Sequence, residues 1–282
     1  MKQLLLATTV LALSGPAFAA DQPVRMPVKA PIAAPVFSWS GCYLGGHVGG
    51  GWGHKDISEP TEEFFQFFAT ANSPIGVNTG GGFLGGGQVG CDYQFARNWV
   101  IGAAGDFSWA SIKGQGLDPF FGGKNGPITL DAKTDSLASA RGRLGYAFDR
   151  FMLYGTGGVA WAHDKYDIQN LVFWGSGRSI NICANSAFTA VAPCNPEGSE
   201  TRQGWTVGFG FEWAFVANWS MLFEFDHYDF GTRTVTLTAS NGFGNGVLVP
   251  LSGSVDVKQR IDALKFGINY RFGWGGPVSA RY

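Results

Sequence analysis

Charge is what this 282-residue chain has least of. Only 15% of its residues are Asp, Glu, Lys or Arg, and they leave a net charge of -1, whereas about a quarter of an ordinary soluble domain is charged. Little of the chain is therefore built as a water-solvated surface. The near-neutral balance also gives no electrostatic footprint for nucleic acid. Long apolar runs are missing too. The stretch Leu4 to Leu13 is shorter than the roughly 18 residues that a membrane-spanning helix requires, and no later stretch reaches that length. The histidines, His47, His54, His163 and His227, lack metal-ligand spacing such as His-x-x-x-His. No metal or other cofactor is expected.

Glycine and aromatic residues are abundant, with 43 glycines and 15% Phe, Trp and Tyr. From Trp205 to Phe215 every second residue is large and apolar (Trp205, Val207, Phe209, Phe211, Trp213, Phe215), and between them stand Thr206, Gly208, Gly210, Glu212 and Ala214. Successive strand side chains point to opposite faces, so this is a strand whose two faces meet different media. In a soluble sandwich the apolar face looks inward. In a membrane barrel it looks outward at lipid, and the polar face lines the lumen.

The chain begins Met1-Lys2, continues with the short apolar run, and reaches Ala17-Phe18-Ala19, which reads as a secretory signal peptide over residues 1–19. Residues 20–38 carry Pro23, Pro27, Pro31 and Pro35. Proline fixes its backbone angle and removes a donor, so this segment reads as an extended periplasmic linker. It serves as a plain lead-in, with contact to peptidoglycan as the alternative. Four cysteines in an exported chain suggest disulfides. Cys183 and Cys194 flank a loop-like stretch, and Cys42 and Cys91 fall on neighbouring strands in the reading that follows.

Strands are expected at roughly Gly41 to His54, Gly80 to Phe95, Trp99 to Lys113, Ser136 to Phe148, Phe151 to Tyr166, Arg202 to Phe215, Trp219 to Phe230 and Val255 to Phe272. Three connections are very short and bounded by aromatics, and two of these share the form Phe-x-x-Asn-Trp: Phe95 to Trp99 and Phe215 to Trp219. The four others are long, around Asp56 to Thr79, Gly114 to Asp135, Asp167 to Thr201 and Gly231 to Ser254. Short and long alternate, the layout of outer-membrane barrels. The chain therefore reads as all-β, an eight-stranded antiparallel up-and-down transmembrane β-barrel over residues 39–272 with four long extracellular loops. Residues 273–282 form a tail.

The same alternation puts Leu144, Tyr146, Phe148, Met221, Phe223, Phe225, Leu264, Phe266, Ile268, Tyr270 and Phe272 outward. The enclosed positions hold Gln88, Asp92, Asp106, Arg141, Arg143, Glu212, Glu224 and Asp226. A barrel of about eight strands is just wide enough to be filled by its own side chains. Arg141 and Arg143 are expected to reach Glu224, Asp226 and Glu212 across it as a paired polar core. A lipid-facing Arg or Lys at mid-membrane would cost roughly 2 to 4 kcal/mol. In the last strand Lys265, Gly267, Tyr270 and Phe272 fit polar-x-Gly-x-x-aromatic-x-aromatic, which resembles the signal read by the outer-membrane assembly machinery.

The order of motifs carries a resemblance. Trp39-Ser40-Gly41-Cys42-Tyr43-Leu44-Gly45-Gly46, Gly90-Cys91-Asp92-Tyr93-Gln94, Gly102-Ala103-Ala104-Gly105-Asp106, Arg141-Gly142-Arg143-Leu144-Gly145-Tyr146, Tyr154-Gly155-Thr156-Gly157-Gly158-Val159-Ala160 and Gly267-Ile268-Asn269-Tyr270-Arg271-Phe272 are similar to the small outer-membrane β-barrel proteins of rhizobia and related alphaproteobacteria. The resemblance spans nearly the whole mature chain. It implies an OmpA-like barrel, a porin-family label, and a role as an abundant structural and surface protein. Ala104 departs from the family, which often carries a second acidic residue beside Asp106.

Other chemistry is weak. Gly85-Gly86-Gly87-Gln88-Val89-Gly90 matches the dinucleotide fingerprint only formally, since no helix pattern follows it. No serine is singled out to join His163-Asp164 or His227-Tyr228-Asp229 in a triad, so no enzyme is expected. Glu62-Glu63-Phe64-Phe65-Gln66-Phe67-Phe68 is expected to pack against the barrel rim, with lipopolysaccharide contact as the alternative. The functional expectation is a structural surface protein of the outer membrane, contributing to envelope integrity, with little or no conduction. A small-solute porin is the alternative. Haem or surface-ligand binding near His54 and His163 is the second. Expected partners are outer-membrane lipid and lipopolysaccharide and the assembly machinery.

Overall fold

A computed structural model describes residues 37–58, 75–117, 129–169, 172–175, 178–181, 197–244 and 247–273. The strands are β1 (Gly41–Ser58), β2 (Ile75–Phe95), β3 (Trp99–Leu117), β4 (Thr129–Phe148), β5 (Phe151–Gln169), β6 (Val172–Gly175), β7 (Arg178–Asn181), β8 (Glu197–Val216), β9 (Trp219–Gly244) and β10 (Val247–Gly273). Period-two alternation makes them two-faced, and eight of them close into one antiparallel barrel: β1, β2, β3, β4, β5, β8, β9, β10 and back to β1. Closure runs unbroken from Gly41 opposite Gly273 to Ser58 opposite Asp256, so no sheet edge is left at that seam. The expected strand number, direction and order are those observed. β6 and β7 pair separately within the third long connection.

One rim is made of tight turns. Ala96 and Arg97 adopt φ of 44° and 70°, and Asp149 adopts 54°, left-handed conformations that let a twisted pair of strands reverse in few residues. The two Asn-Trp turns work alike. Asn98 donates its side-chain amide to the Ala147 carbonyl at 2.7 Å, and Asn218 donates to that of Arg271 at 2.8 Å. Each Asn carbonyl accepts the same neighbour's N–H in return. Trp99 then meets Tyr146 edge-on at 5.3 Å, as Trp219 meets Tyr270 at 5.1 Å. The motif ties each turn to the strand beside it.

The other rim differs from expectation. Every strand continues past its expected outer end, and the fourth long loop, Gly231 to Ser254, is instead a strand ladder that reaches Val247 opposite Gly244. The reason is local: Thr232, Thr234, Val235, Thr236 and Thr238 face a segment rich in Val, and β-branched residues favour the pleated sheet. A positive φ of 62° at Gly231 and a register shift at Gln259 and Arg260 mark the bend that the sequence presents as a loop boundary. Residues 59–74, 118–128 and 182–196, with the Phe-rich segment, Cys183 and Cys194, lie outside the described residues. So do the signal and linker residues 1–36 and the tail residues 274–282.

Cys42 lies opposite Cys91 across the β1–β2 ladder, and a disulfide joins them. Their neighbours Tyr43 and Asp92 are buried, so the disulfide sits on the outer wall near the short-turn rim. The bridge spans 49 residues. Replacing both cysteines with Ser is expected to cost about 2 to 4 kcal/mol through lost loop-closure entropy. Far-UV circular dichroism should stay unchanged, while the heat-modified gel shift moves to lower temperature.

Candidate functional site

Alternation turns Ser139, Arg141 and Arg143 of β4 inward, while Leu144 and Phe148 stay exposed outward. At mid-barrel the inward residues of every barrel strand meet. Arg141 contacts Asp106 at 3.0 Å, Glu224 at 2.9 Å and Asp226 at 2.5 Å. Lys265 contacts Asp106 at 3.0 Å and Asp226 at 2.9 Å. Nearer the short-turn rim Arg143 contacts Asp92 at 3.3 Å and pairs with Glu212. Arg271 contacts Asp92 at 3.0 Å and Glu212 at 2.8 Å. Four cations thus meet five carboxylates, each side chain no more than 7% exposed. The Tyr43 hydroxyl of β1 and the Thr156 hydroxyl of β5 accept from the arginines at 3.2 and 3.3 Å, bringing in the remaining strands.

Neutral groups supply further hydrogen bonds to the carboxylates. Ser220 donates to Glu212 at 2.5 Å, Asn269 donates to it at 3.1 Å, and Ser139 donates to Asp106. His47 bridges Gln88 and Ser108 beside them. Arg143 also lies over the Tyr154 ring, 3.7 Å from its centroid, a desolvated cation–π contact. The glycines of the two-faced strands make room for this. A Cβ on Gly102 would lie 2.2 Å from Asp92 Oδ1, and one on Gly208 would lie 2.2 Å from Asp226 Oδ1.

Layers close the network on both sides. Toward the short-turn rim, Trp39 is fully buried against Val100, Ala147, Met152, Tyr154 and Ala214. Its indole donates to the Asp149 carbonyl at 2.9 Å, its own carbonyl accepts from Arg271 at 3.1 Å, and the Arg271 guanidinium lies 4.6 Å from its ring centroid. Phe37, expected in the linker, packs edge-on against Trp39 at 5.1 Å. Toward the other rim lies an apolar layer that includes Leu84, Ile112, Leu137, Tyr228, Phe230 and Ile261. Above it Asp164 pairs with Lys55 at 2.8 Å and Arg202 at 3.3 Å, and Gln259 donates to it at 3.2 Å. A central cavity bounded by Ala104, Asp106, Arg141, Thr156 and Lys265 measures about 20 Å³. That is room for about one water molecule.

All seven charged residues expected inside are there, Asp106, Arg141, Glu224 and Asp226 in one ion-pair cluster with Lys265, and Asp92, Arg143 and Glu212 in a second with Arg271. The sequence reading missed Lys265, Arg271 and the Lys55, Asp164, Arg202 layer. The signal was present: Lys265, Gly267, Asn269 and Arg271 alternate with outward Phe266, Ile268, Tyr270 and Phe272. Of the assembly-signal residues, Gly267 faces inward beside His47, and Tyr270 and Phe272 stack edge-on at 5.0 Å on the outer wall. The two histidines expected near a ligand do not converge. His54 and His163 stand on β1 and β5, four strands apart in either direction around the ring, and pair with Asp56 and Thr201.

A family profile described as outer membrane protein beta-barrel domain matches residues 5–272. The 31 kDa outer-membrane immunogenic proteins of Brucella melitensis and Brucella suis are each 31% identical over 277 residues, covering 96% of this chain and 100% of theirs. Among solved structures, the outer membrane protein OprG of Pseudomonas aeruginosa aligns at 12% identity and a TM-score of 0.42, covering 83% of this chain and 97% of its own. The outer membrane protease OmpT of Escherichia coli aligns at 9% identity and a TM-score of 0.46, covering 85% and 99%.

Removing one partner from a buried ion pair leaves the other charge uncompensated, which costs about 3 to 5 kcal/mol. Arg143→Ala leaves Arg271 as the one cation facing both Asp92 and Glu212, so the heat-modified gel shift is expected at lower temperature. An unchanged transition would show that these pairs contribute nothing to stability.

Proposed function

Because the chain belongs to the outer-membrane β-barrel protein family, we propose that it serves as a structural and surface protein of the Gram-negative envelope, with little or no conduction and no catalytic role. Its place is the outer membrane. The observation that carries the functional reading is the filled interior. Ion pairs spanning the ring, the buried Trp39 below and the apolar layer above leave a central cavity of about 20 Å³. Diffusion porins that hold a water channel use about 16 to 18 strands. This ring has eight.

Exposed aromatics on the outer wall, such as Phe209, Trp109 and Trp205, suit contact with lipid and its interfaces. The assembly machinery reads the end of β10 at Gly267, Tyr270 and Phe272. The description of the Brucella relatives as immunogenic supports exposure of this family at the cell surface. Planar-bilayer recording of the purified, refolded protein is expected to show no large, stable open state. A steady open channel from the monomer would establish the competing reading, a small-solute porin.

A further inference from the structure

Lys113 on β3, Lys133 on β4 and Lys165 on β5 stand directly opposite one another across two adjacent ladders. Like charges so placed destabilise a sheet. The neighbouring Thr134, Asp164 and Tyr166 are buried inside the barrel, so the lysines point away from it. One carboxylate serves two of them: Asp135 pairs with Lys133, and with Lys165 at 2.7 Å. Partial burial raises the Asp135 carboxyl, but hydrogen bonds from both lysines outweigh this and hold it below its usual range. Among the described residues no ion pair involves Lys113. Three lysines against one paired carboxylate leave this row itself net positive.

Height sets what that charge meets. Trp109, 68% exposed, lies four residues below Lys113 on β3. At about 3.3 Å per residue and a tilt near 40°, the lysines stand on the order of 10 Å farther out along the barrel axis. With Trp109 taken as part of the aromatic girdle that outer-membrane barrels carry at the interface, that height corresponds to the headgroup layer of the outer leaflet. One tier beyond, Asp131, Asp167 and Glu197 form a second in-register row. Both rows line a cavity of about 1140 Å³. A phosphate anchored in the membrane sits at the lysines.

We propose that Lys113, Lys133 and Lys165 seat the phosphate groups of a phosphorylated glycolipid of the outer leaflet, that is, of lipopolysaccharide. The proposal rests on the outer-membrane placement of the barrel and not on whether the barrel conducts.

The test uses the full-length protein in nanodiscs free of lipopolysaccharide, with native mass spectrometry reading bound bisphosphorylated lipid A against its dephosphorylated form. The wild type is expected to prefer the phosphorylated lipid about tenfold or more, the equivalent of one charge-assisted hydrogen bond. The K113Q/K133Q/K165Q variant should lose that preference, while K258Q, on the opposite side of the ring, retains it. Equal binding of the two lipids by the wild type, which needs no variant to fold, overturns the proposal, as does a triple variant that keeps the preference. Inositol hexakisphosphate matching lipid A in affinity would assign the row to soluble polyanions and overturn it as well.

Discussion

Four buried cations bind the inner surface of this barrel to itself, and the register of every strand depends on them. Arg141, Arg143, Lys265 and Arg271 reach carboxylates on β2, β3, β8 and β9. Buried ion pairs are weak evidence for net stability, since well-packed apolar residues often do as well. Their force here is positional. A one-residue slip turns a whole strand inside out, and each Arg or Lys then facing mid-membrane lipid costs roughly 2 to 4 kcal/mol. The interior charges and the aromatic exterior therefore specify the same register from opposite sides.

The short-turn rim repeats one device on two sides of the ring. Asn98 and Trp99 dock on Ala147 and Tyr146, and Asn218 and Trp219 dock on Arg271 and Tyr270. Each device fixes the end of a strand that carries interior cations, Arg141 and Arg143 in one case, Lys265 and Arg271 in the other. The turn aromatics and the charge network are thus mechanically continuous. Trp39 joins them, since Arg271 holds its carbonyl and its ring.

Much of this was legible in the sequence wherever two media impose a period of two. Strand order, the short turns and the enclosed side of Asp92, Arg141 and Glu212 follow from that contrast alone. Legibility failed where the contrast fades. Beyond the outer aromatic residues both strand faces meet water or protein, so Thr232 to Thr238 and Val247 to Val255 look like loop although they pair as strands. Lys265 and Arg271 were masked because their strand also reads as an assembly signal. The lysine row is invisible along the chain, since Lys113, Lys133 and Lys165 become neighbours only through register.

The lumen is closed by its own side chains. Thr156 lines the central cavity and accepts from Arg141 at 3.3 Å, which makes it the place to probe. A Thr156→Cys variant, with Cys183 and Cys194 replaced by Ser, would be reconstituted in lipid vesicles and exposed to a small cationic methanethiosulfonate. The closed interior predicts no labelling of the folded protein and full labelling after heat unfolding. Rapid labelling of the folded barrel would contradict it, because the reagent would then have passed through a continuous aqueous path along the ion pairs.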